Sequence, residues 1–376
     1  MDILFVTNVD SYFLSKISLA QAFQQAGHRI IVLCKHTRYQ DQIRQHGFEF
    51  IHFPFSRRSL NPFRLLYEAF SVSRIYRRVS PDVVILITPR IGLVGSFAHV
   101  FYSRTRVFQI ITGLGFLFTS SRVSFLSRMV LVYYKFLSRF RRLFFIFQNH
   151  DDADLFFRYQ ICSEATGITV KGSGVDLKKF AYSDPVCYQH QVIFLLASRL
   201  LYDKGVMEYI QAAKLLYPEV GNKAKFLIAG SVDHENPMRI PEQELIDSLI
   251  PGYIEWIGYQ NDMVRLLQSV HVVVLPSYRE GLPRILAEAA AVGRPVITCN
   301  SVGCRECVMD GYNGFLVEVK DIQGLSEAMK KFISDPSLIA TMGYHSRLFA
   351  EKEHDMHRNN QQMVDFVNQI CSSTCL

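Results

Sequence analysis

Short, almost purely apolar runs alternate with helical stretches along this chain, and the alternation runs through twice. Ile3–Thr7, Arg29–Leu33, Phe48–His52, Asp82–Ile87, Val107–Thr112 and Phe144–Gln148 read as strands, with Ser15–Ala26 a helix closed by Gly27. Glycines punctuate the chain at Lys171-Gly172-Ser173-Gly174-Val175-Asp176, and the pattern restarts at Val192–Ala197. Lys225–Ala229, Ile254–Ile257, Val270–Leu275 and Pro295–Thr298 follow as strands, with helices at Gly205–Leu216, Pro283–Val292 and Asp321–Ile333. Strands apolar on both faces need cover on both faces, which parallel sheets flanked by helices supply. The expected architecture is α/β, with two doubly wound domains facing a cleft, over residues 1–175 and 176–350. A final amphipathic helix within 351–376, with Met356, Met363, Phe366, Val367 and Ile370 as its apolar positions, is expected to pack back on the first domain. Ligands of such sheets gather at the carboxyl ends of the strands, so motifs there carry the functional reading.

The 376 residues give each half room for a core, and 49% hydrophobic against 20% charged residues excludes disorder and coiled coil. No uncharged run reaches the roughly 18–20 residues of a membrane span; the longest is Val107–Ser121. The chain opens on an acid and a strand instead of a basic leader, so a cytoplasmic location is expected, with the eight cysteines as thiols. The net charge of +7 conceals a split: residues 1–150 carry +14 and residues 151–376 carry −7. From Val83 to His150 there is no acidic side chain. A half this basic faces something anionic, whether lipid, nucleic acid or a phosphorylated substrate.

Two motifs stand at strand ends in the second half. Ser277-Tyr278-Arg279-Glu280-Gly281-Leu282-Pro283 leaves a buried strand, and Glu288 lies eight residues beyond Glu280 in the next helix. The start of that helix can cradle an anion; Pro283 lacks an N–H, so Leu282, Arg284 and Ile285 would be the donors. Two carboxylates beside a phosphate nest would repel it unless they bind neutral hydroxyls, which suggests sugars flanking a phosphate. Ser198-Arg199-Leu200-Leu201-Tyr202-Asp203-Lys204-Gly205 ends the first strand of that half, where Arg199 can grip phosphate oxygens bidentately and Lys204 adds a point charge.

A third motif lies in the basic half. Arg128, Lys135, Arg139 and Arg142 line one helix face, and Leu126, Val130, Tyr133, Leu137 and Phe140 another. Such a helix suits either an anionic membrane surface or a core seat with a solvated basic side. Asp152-Ala153-Asp154 reads as a helix-start acid cluster. Cys304-x-x-Cys307 lacks the second ligand pair of a zinc site, so no metal is expected.

Taken together, Arg199, Lys204-Gly205 and Glu280-x7-Glu288 resemble the donor site of the retaining glycosyltransferase family 4, which has the GT-B fold of two Rossmann-like domains. Gly172-Ser173-Gly174-Val175-Asp176 resembles that family's hinge, Trp256-Ile257-Gly258-Tyr259 its base-binding turn, and Asp310-Gly311 with Asn313-Gly314-Phe315-Leu316-Val317 its C-terminal signature. Asn8-Val9-Asp10-Ser11, Thr112-Gly113-Leu114-Gly115 and Phe147-Gln148-Asn149-His150-Asp151-Asp152 resemble members that extend lipid-linked oligosaccharides, typically from a UDP-sugar and often with an N-acetylhexosamine.

The resemblance implies that Arg199 and Lys204 neutralise the diphosphate leaving group, with Ser198 beside them. It implies that Glu280 holds donor-sugar hydroxyls, Glu288 the ribose, and main chain near Gly258 and Tyr259 the base. Asn8, Asp10, Ser11, Thr112, Gly113, Asn149 and Asp151 would lie on the acceptor side. It further implies a lipid-diphosphate-linked saccharide as acceptor, no cofactor, no metal requirement, and a place on the cytoplasmic face of a bacterial inner membrane. Histidines common in related sequences are replaced by Thr112-Gly113-Leu114 and by Ser15-Lys16-Ile17. Front-face displacement depends more on stabilising the leaving group than on a base. Two alternatives remain at this level: a UDP-sugar 2-epimerase of the same fold, and a basic nucleic-acid-binding protein, for which no recognition motif is visible.

Overall fold

The computed structural model describes all residues except 57, 58, 60, 103, 115–124, 140, 141, 186–190 and 374–376, together with the side chain of Leu126. Gly115, Phe140 and the start of the Arg122–Arg142 segment therefore lie outside the described residues. The chain divides into two compact units, Met1–Ser173 with Met356–Leu376, and Gly174–Asp355.

The first unit runs β1 (Asp2–Val9), α1 (Asp10–Phe13), α2 (Ile17–Gln25), β2 (Arg29–Lys35), α3 (Gln40–Gln45), β3 (Glu49–His52) and α4 (Pro62–Val79). It continues with β4 (Val83–Ile87), α5 (Pro89–Val100), β5 (Arg106–Ile111), α6 (Phe125–Leu137), β6 (Leu143–Phe147), α7 (His150–Arg158) and β7 (Gly167–Thr169). Its seven strands are all parallel, in the order β3-β2-β1-β4-β5-β6-β7.

The second unit runs β8 (Val192–Ala197), α8 (Val206–Val220), β9 (Ala224–Ala229), α9 (Glu242–Asp247), β10 (Ile254–Trp256), α10 (Met263–Gln268) and β11 (Val272–Leu275). It ends with α11 (Arg284–Val292), β12 (Val296–Cys299), β13 (Gly314–Val317), α12 (Ile322–Ser334) and α13 (Ser337–Glu353). Its six strands are parallel in the order β10-β9-β8-β11-β12-β13.

The central strands are buried throughout: Val83–Ile87 and Val272–Leu275 are inaccessible along their length. This is the physical content of their unbroken apolar sequences. The last helix, α14 (Met356–Ser372), returns to the first unit. Met363, Val364, Val367 and Ile370 enter the core layer of Ile3, Phe5 and Phe23, and the Phe366 ring meets Phe108 edge-on at 5.9 Å. Each such side chain contributes roughly 1.5–3 kcal/mol relative to exposure, enough to hold a terminal helix in place.

The sequence pattern did not single out several of these elements, among them β7, β13, α13 and α4. β7 is only three residues long, and β13 begins at a glycine. α13 continues directly from α12 after a Pro336 break. α4 has apolar side chains on its exposed side as well as its buried one, which hides the stripe that periodicity seeks. Its ends are nonetheless conventional. The Asn61 side chain accepts from the amides of Phe63 and Arg64, Pro62 starts the first turn, and Ser80 ends the helix in the left-handed region.

Candidate functional site

In each sheet the strand order reverses once, and at such a point adjacent loops diverge and leave room for a ligand. In the second sheet the reversal lies between β8 and β11. Past β8, Ser198 is half-buried with its amide bonded to the Ala229 carbonyl at 3.1 Å. The chain then turns through Tyr202–Lys204 into α8 at Gly205, whose φ is +72°. A Cβ at Gly205 would lie 2.2 Å from the Pro276 carbonyl oxygen, so this loop passes the one after β11 only as glycine. The Tyr278 amide and the Ser277 hydroxyl donate to the Asp203 carbonyl at 3.0 and 3.1 Å, and the Glu280 amide donates to the Val302 carbonyl at 2.9 Å. The loops after β8, β11 and β12 are thereby joined into one rim.

On that rim Lys204 Nζ lies 2.5 Å from Glu280 Oε1, with the two side chains only 12% and 18% exposed. Arg284 Nε donates to Glu288 Oε1 at 2.6 Å, one helical turn along α11. Burial pushes the Glu288 carboxyl above the ordinary carboxylate range, opposed by the charges of Arg284 and Lys179. Arg199 is more exposed and reaches Asp233 Oδ2 at 3.4 Å. Glu280, Glu288 and Asp233 thus each face a cation.

Behind the rim, Tyr278 donates its hydroxyl hydrogen to Glu208, which fixes the start of the loop. The buried Cys304 thiol beneath it is pushed up to about 12 by burial and stays protonated. Gly281 is buried, Leu282 and Ile285 are half-buried and Arg284 is exposed; the first intrahelical bonds of α11 run from Leu286 and Ala287 to the Pro283 carbonyl. Beside this, the Gly258 carbonyl accepts from the Gly230 amide at 2.9 Å, Trp256 Nε1 donates to the Gly230 carbonyl at 2.9 Å, and Tyr259 is exposed.

In the first sheet the reversal lies between β1 and β4. There the Thr88 hydroxyl donates to Asn8 Oδ1 at 2.5 Å, while Asn8 Nδ2 donates to the Ser56 carbonyl at 3.3 Å. Thr88 has φ +81°, a conformation that costs a β-branched residue energy and that recurs at functional sites. Sequence reasoning passed over Thr88; the signal was an X-Pro step directly after a buried strand. Ser11 is exposed, Thr112 and Asp151 are half-buried, and Gly113 is buried with φ +105°.

Two members of the acceptor-side set turn out to serve the fold. Asp10 is fully buried, with its carboxylate accepting from the amides of Thr37 and Tyr39 and from the Thr37 hydroxyl, so it ties down the segment after β2. Burial alone would raise its carboxyl, but these hydrogen bonds outweigh it and hold the group below the ordinary range. Asn149 is also fully buried and caps α7 by accepting from the Asp152 amide at 2.8 Å. Lys16, at the position where related sequences often carry a histidine, is buried and donates to the Ser173 hydroxyl in the glycine-rich segment.

Arg128, Lys135 and Arg139 are exposed on and just beyond α6. Arg142 is not on their helix: α6 ends at Leu137, and the Arg142 guanidinium donates to the Arg104 carbonyl at 2.6 Å. The buried face of α6 is Leu131, Tyr134 and Leu137, displaced from the expected set, with Val130 and Tyr133 only partly buried. Among the described residues no three His, Cys, Asp or Glu side chains gather where a metal could bind, and no helix is long and apolar enough to cross a membrane.

Residues 2–149 match the family described as Glycosyl transferase 4-like, and residues 184–361 match Glycosyl transferases group 1. The N,N'-diacetylbacillosaminyl-diphospho-undecaprenol alpha-1,3-N-acetylgalactosaminyltransferase of Campylobacter jejuni is 27% identical over 336 residues, 86% of each chain. The UDP-Gal:alpha-D-GlcNAc-diphosphoundecaprenol alpha-1,3-galactosyltransferase of Escherichia coli is 25% identical over 283 residues, 71% of this chain and 70% of the relative. The crystal structure of Anabaena HepE in complex with UDP and glucose has a TM-score of 0.77 at 19% identity, covering 98% of this chain and 99% of that one.

Two parallel-sheet units with polar clusters at their reversal points, matched along their length by solved glycosyltransferases, define the GT-B class. Within that class, the chain carries a Glycosyl transferase 4-like half followed by a Glycosyl transferases group 1 half and is a hexosyltransferase.

Proposed function

We propose that the protein transfers a hexose or N-acetylhexosamine, with retention, from a UDP-sugar to a lipid-diphosphate-linked saccharide in bacterial surface-glycan or glycoprotein synthesis. The observation that carries this reading is the close Lys204–Glu280 pair spanning the reversal point of the second sheet. The names of the two relatives specify undecaprenyl-diphosphate-linked acceptors and alpha-1,3 transfer, and one specifies a UDP-sugar donor, in support of the same reading.

Lys204 and Arg199 neutralise the diphosphate as it departs. The amides of Leu282, Arg284 and Ile285, which precede the first intrahelical bonds of α11, add fixed donors of the kind that bind phosphate. Glu280 orients donor-sugar hydroxyls and Glu288 the ribose, while main chain near Gly258 and the exposed Tyr259 flank the base. The acceptor oxygen bonds to the anomeric carbon on the face from which the diphosphate leaves, and its proton passes to the leaving phosphate oxygen. Asn8, Ser11, Thr112, Gly113 and Asp151 stand on the acceptor side, with Thr88 added to them. No metal or other cofactor takes part, and turnover is expected to survive a chelator.

The protein works at the cytoplasmic face of the inner membrane, with Arg128, Lys135 and Arg139 turned to anionic lipid. Glu280→Ala and Lys204→Ala should each abolish transfer from a UDP-sugar to a lipid-diphosphate saccharide, read by mass, in a folded protein. Normal turnover in both would remove the assignment. Isomerisation of the donor without any acceptor would indicate an epimerase instead.

A further inference from the structure

Helix α4 turns an apolar face to solvent. Phe63, Leu66, Tyr67 and Phe70, spaced i, i+3, i+4 and i+7, are 81%, 50%, 68% and 46% exposed. On α6, Phe125, Met129, Val132 and Phe136 follow a similar spacing and are also exposed. Aromatic contacts join the two helices: Phe70 meets Phe101 at 6.2 Å, Phe101 meets Phe97 at 5.5 Å, and Phe97 stacks with Tyr133 of α6 at 6.5 Å. The two exposed stripes are thus linked through α5, and exposed apolar side chains in such number mark a docking site.

Its charges are all of one sign. Arg64, Arg74, Arg77 and Arg78 are exposed on α4, and the Arg74 guanidinium lies 4.5 Å above the Phe70 ring. The one acid of α4, Glu68, is buried against Arg90 at 2.7 Å, and α6 has no acid. A second copy of the chain seated across a two-fold axis would set these cations against their own images. An anionic bilayer fits both features at once, with rings at headgroup depth and guanidinium and ammonium groups at the lipid phosphates.

We propose that α4 and α6 form one two-helix footprint on an anionic bilayer, with the aromatic stripe of α4 as the inserted part. The inserted helix is also tied to the acceptor side: Glu68 Oε1 accepts from the Ser56 amide, and the Ser56 carbonyl accepts from Asn8 at the β1–β4 reversal. A membrane-seated α4 thus holds the loop beside Asn8 and Thr88 at a set height above the lipid. The proposal rests on the lipid-linked-acceptor reading for its purpose, but its test involves no sugar transfer.

The full chain is floated with phosphatidylcholine vesicles, with and without phosphatidylglycerol, and compared with the Phe63→Ser/Tyr67→Ser variant. Wild type should float with the anionic vesicles. The variant should partition roughly tenfold less or weaker still, the loss expected when a ring is no longer buried, and should be stripped off by high salt. Its circular-dichroism melt should be unchanged, because both side chains are exposed. Its transfer to a water-soluble short-chain diphosphate saccharide should also be unchanged, so a failed footprint and a failed transferase reading give different results. Wild type left unfloated, a variant that floats like wild type, or a loss of self-association by light scattering in the variant would each overturn the proposal.

Discussion

The Lys204–Glu280 pair makes a quantitative demand on stability as well as on turnover. At 2.5 Å, Coulomb's law with an effective dielectric of about 20 gives a gross attraction of about 6–7 kcal/mol. Most of that is consumed in desolvating two groups that are only 12% and 18% exposed. A net coupling of about 1.5–3 kcal/mol should remain. Lys204→Met alone leaves a carboxylate in a mostly buried position with only residual solvation, so it should destabilise the second unit by about 2–3 kcal/mol. Glu280→Gln alone strands the ammonium at a smaller cost, since the amide oxygen still accepts. The double variant should recover the coupling.

Trp256, the single tryptophan, lies in this unit with its indole nitrogen on the Gly230 carbonyl. Its fluorescence during urea unfolding therefore reports this unit alone. A double-mutant cycle with coupling below about 0.5 kcal/mol, the value of a screened surface pair, would refute the placement of the pair as a desolvated unit. Transfer should fall by at least about a hundredfold in Lys204→Met, as expected when a charge that stabilises the leaving group is removed.

Three further outcomes follow from the same geometry. Ionising the buried Glu288 carboxyl costs folded stability, and the cost grows as pH rises from the ordinary carboxylate value to the raised one. Glu288→Gln should thus raise the melting temperature at neutral pH, with the gain vanishing in acid, while UDP binding by calorimetry weakens; equal melting at all pH would contradict the burial argument. Asp10 has the opposite sign. Its lowered carboxyl contributes stability above the ordinary carboxylate range, and that contribution is lost as pH falls through the folded value. Asp10→Asn should cost about 1–3 kcal/mol at neutral pH and little near the acid limit, measured by urea midpoints across pH. Gly205→Ala puts a Cβ against the Pro276 carbonyl at positive φ and should cost about 3 kcal/mol or more by Trp256 fluorescence, with loss of transfer; a cost under 1 kcal/mol would show that the two loops are not in contact.

The two motifs at the rim of the second sheet were legible because each occupies one loop. Arg199 to Lys204 follows one strand and Glu280 to Glu288 follows another, and buried parallel strands are the elements that apolar sequence marks most clearly. The Arg284–Glu288 pair was also within reach, since an i, i+4 cation and acid on a helix face one another. Thr88 was harder, because nothing local says that β4 lies beside β1. Asp10 and Asn149 looked like ligands for the opposite reason. A polar residue at a strand end reads the same whether it points to solvent or back into the chain, and only the packed structure reveals that their oxygens are occupied. The apolar face of α4 was invisible because periodicity assumes that the hydrophobic side of a helix is the buried one.

By itself the sequence determined the two parallel-sheet units and the strand-end loops that carry the cations and acids. These follow from local rules, since burial on both faces of a strand and the turn chemistry of glycine and proline are written in neighbouring residues. Tertiary structure alone decided which strands are adjacent, and hence that Lys204 meets Glu280 and Thr88 meets Asn8 across the reversal points. It also decided which aromatics remain in water. Such contacts join residues 76 and 80 positions apart, and their energies depend on desolvation by the whole fold, which no window of sequence contains.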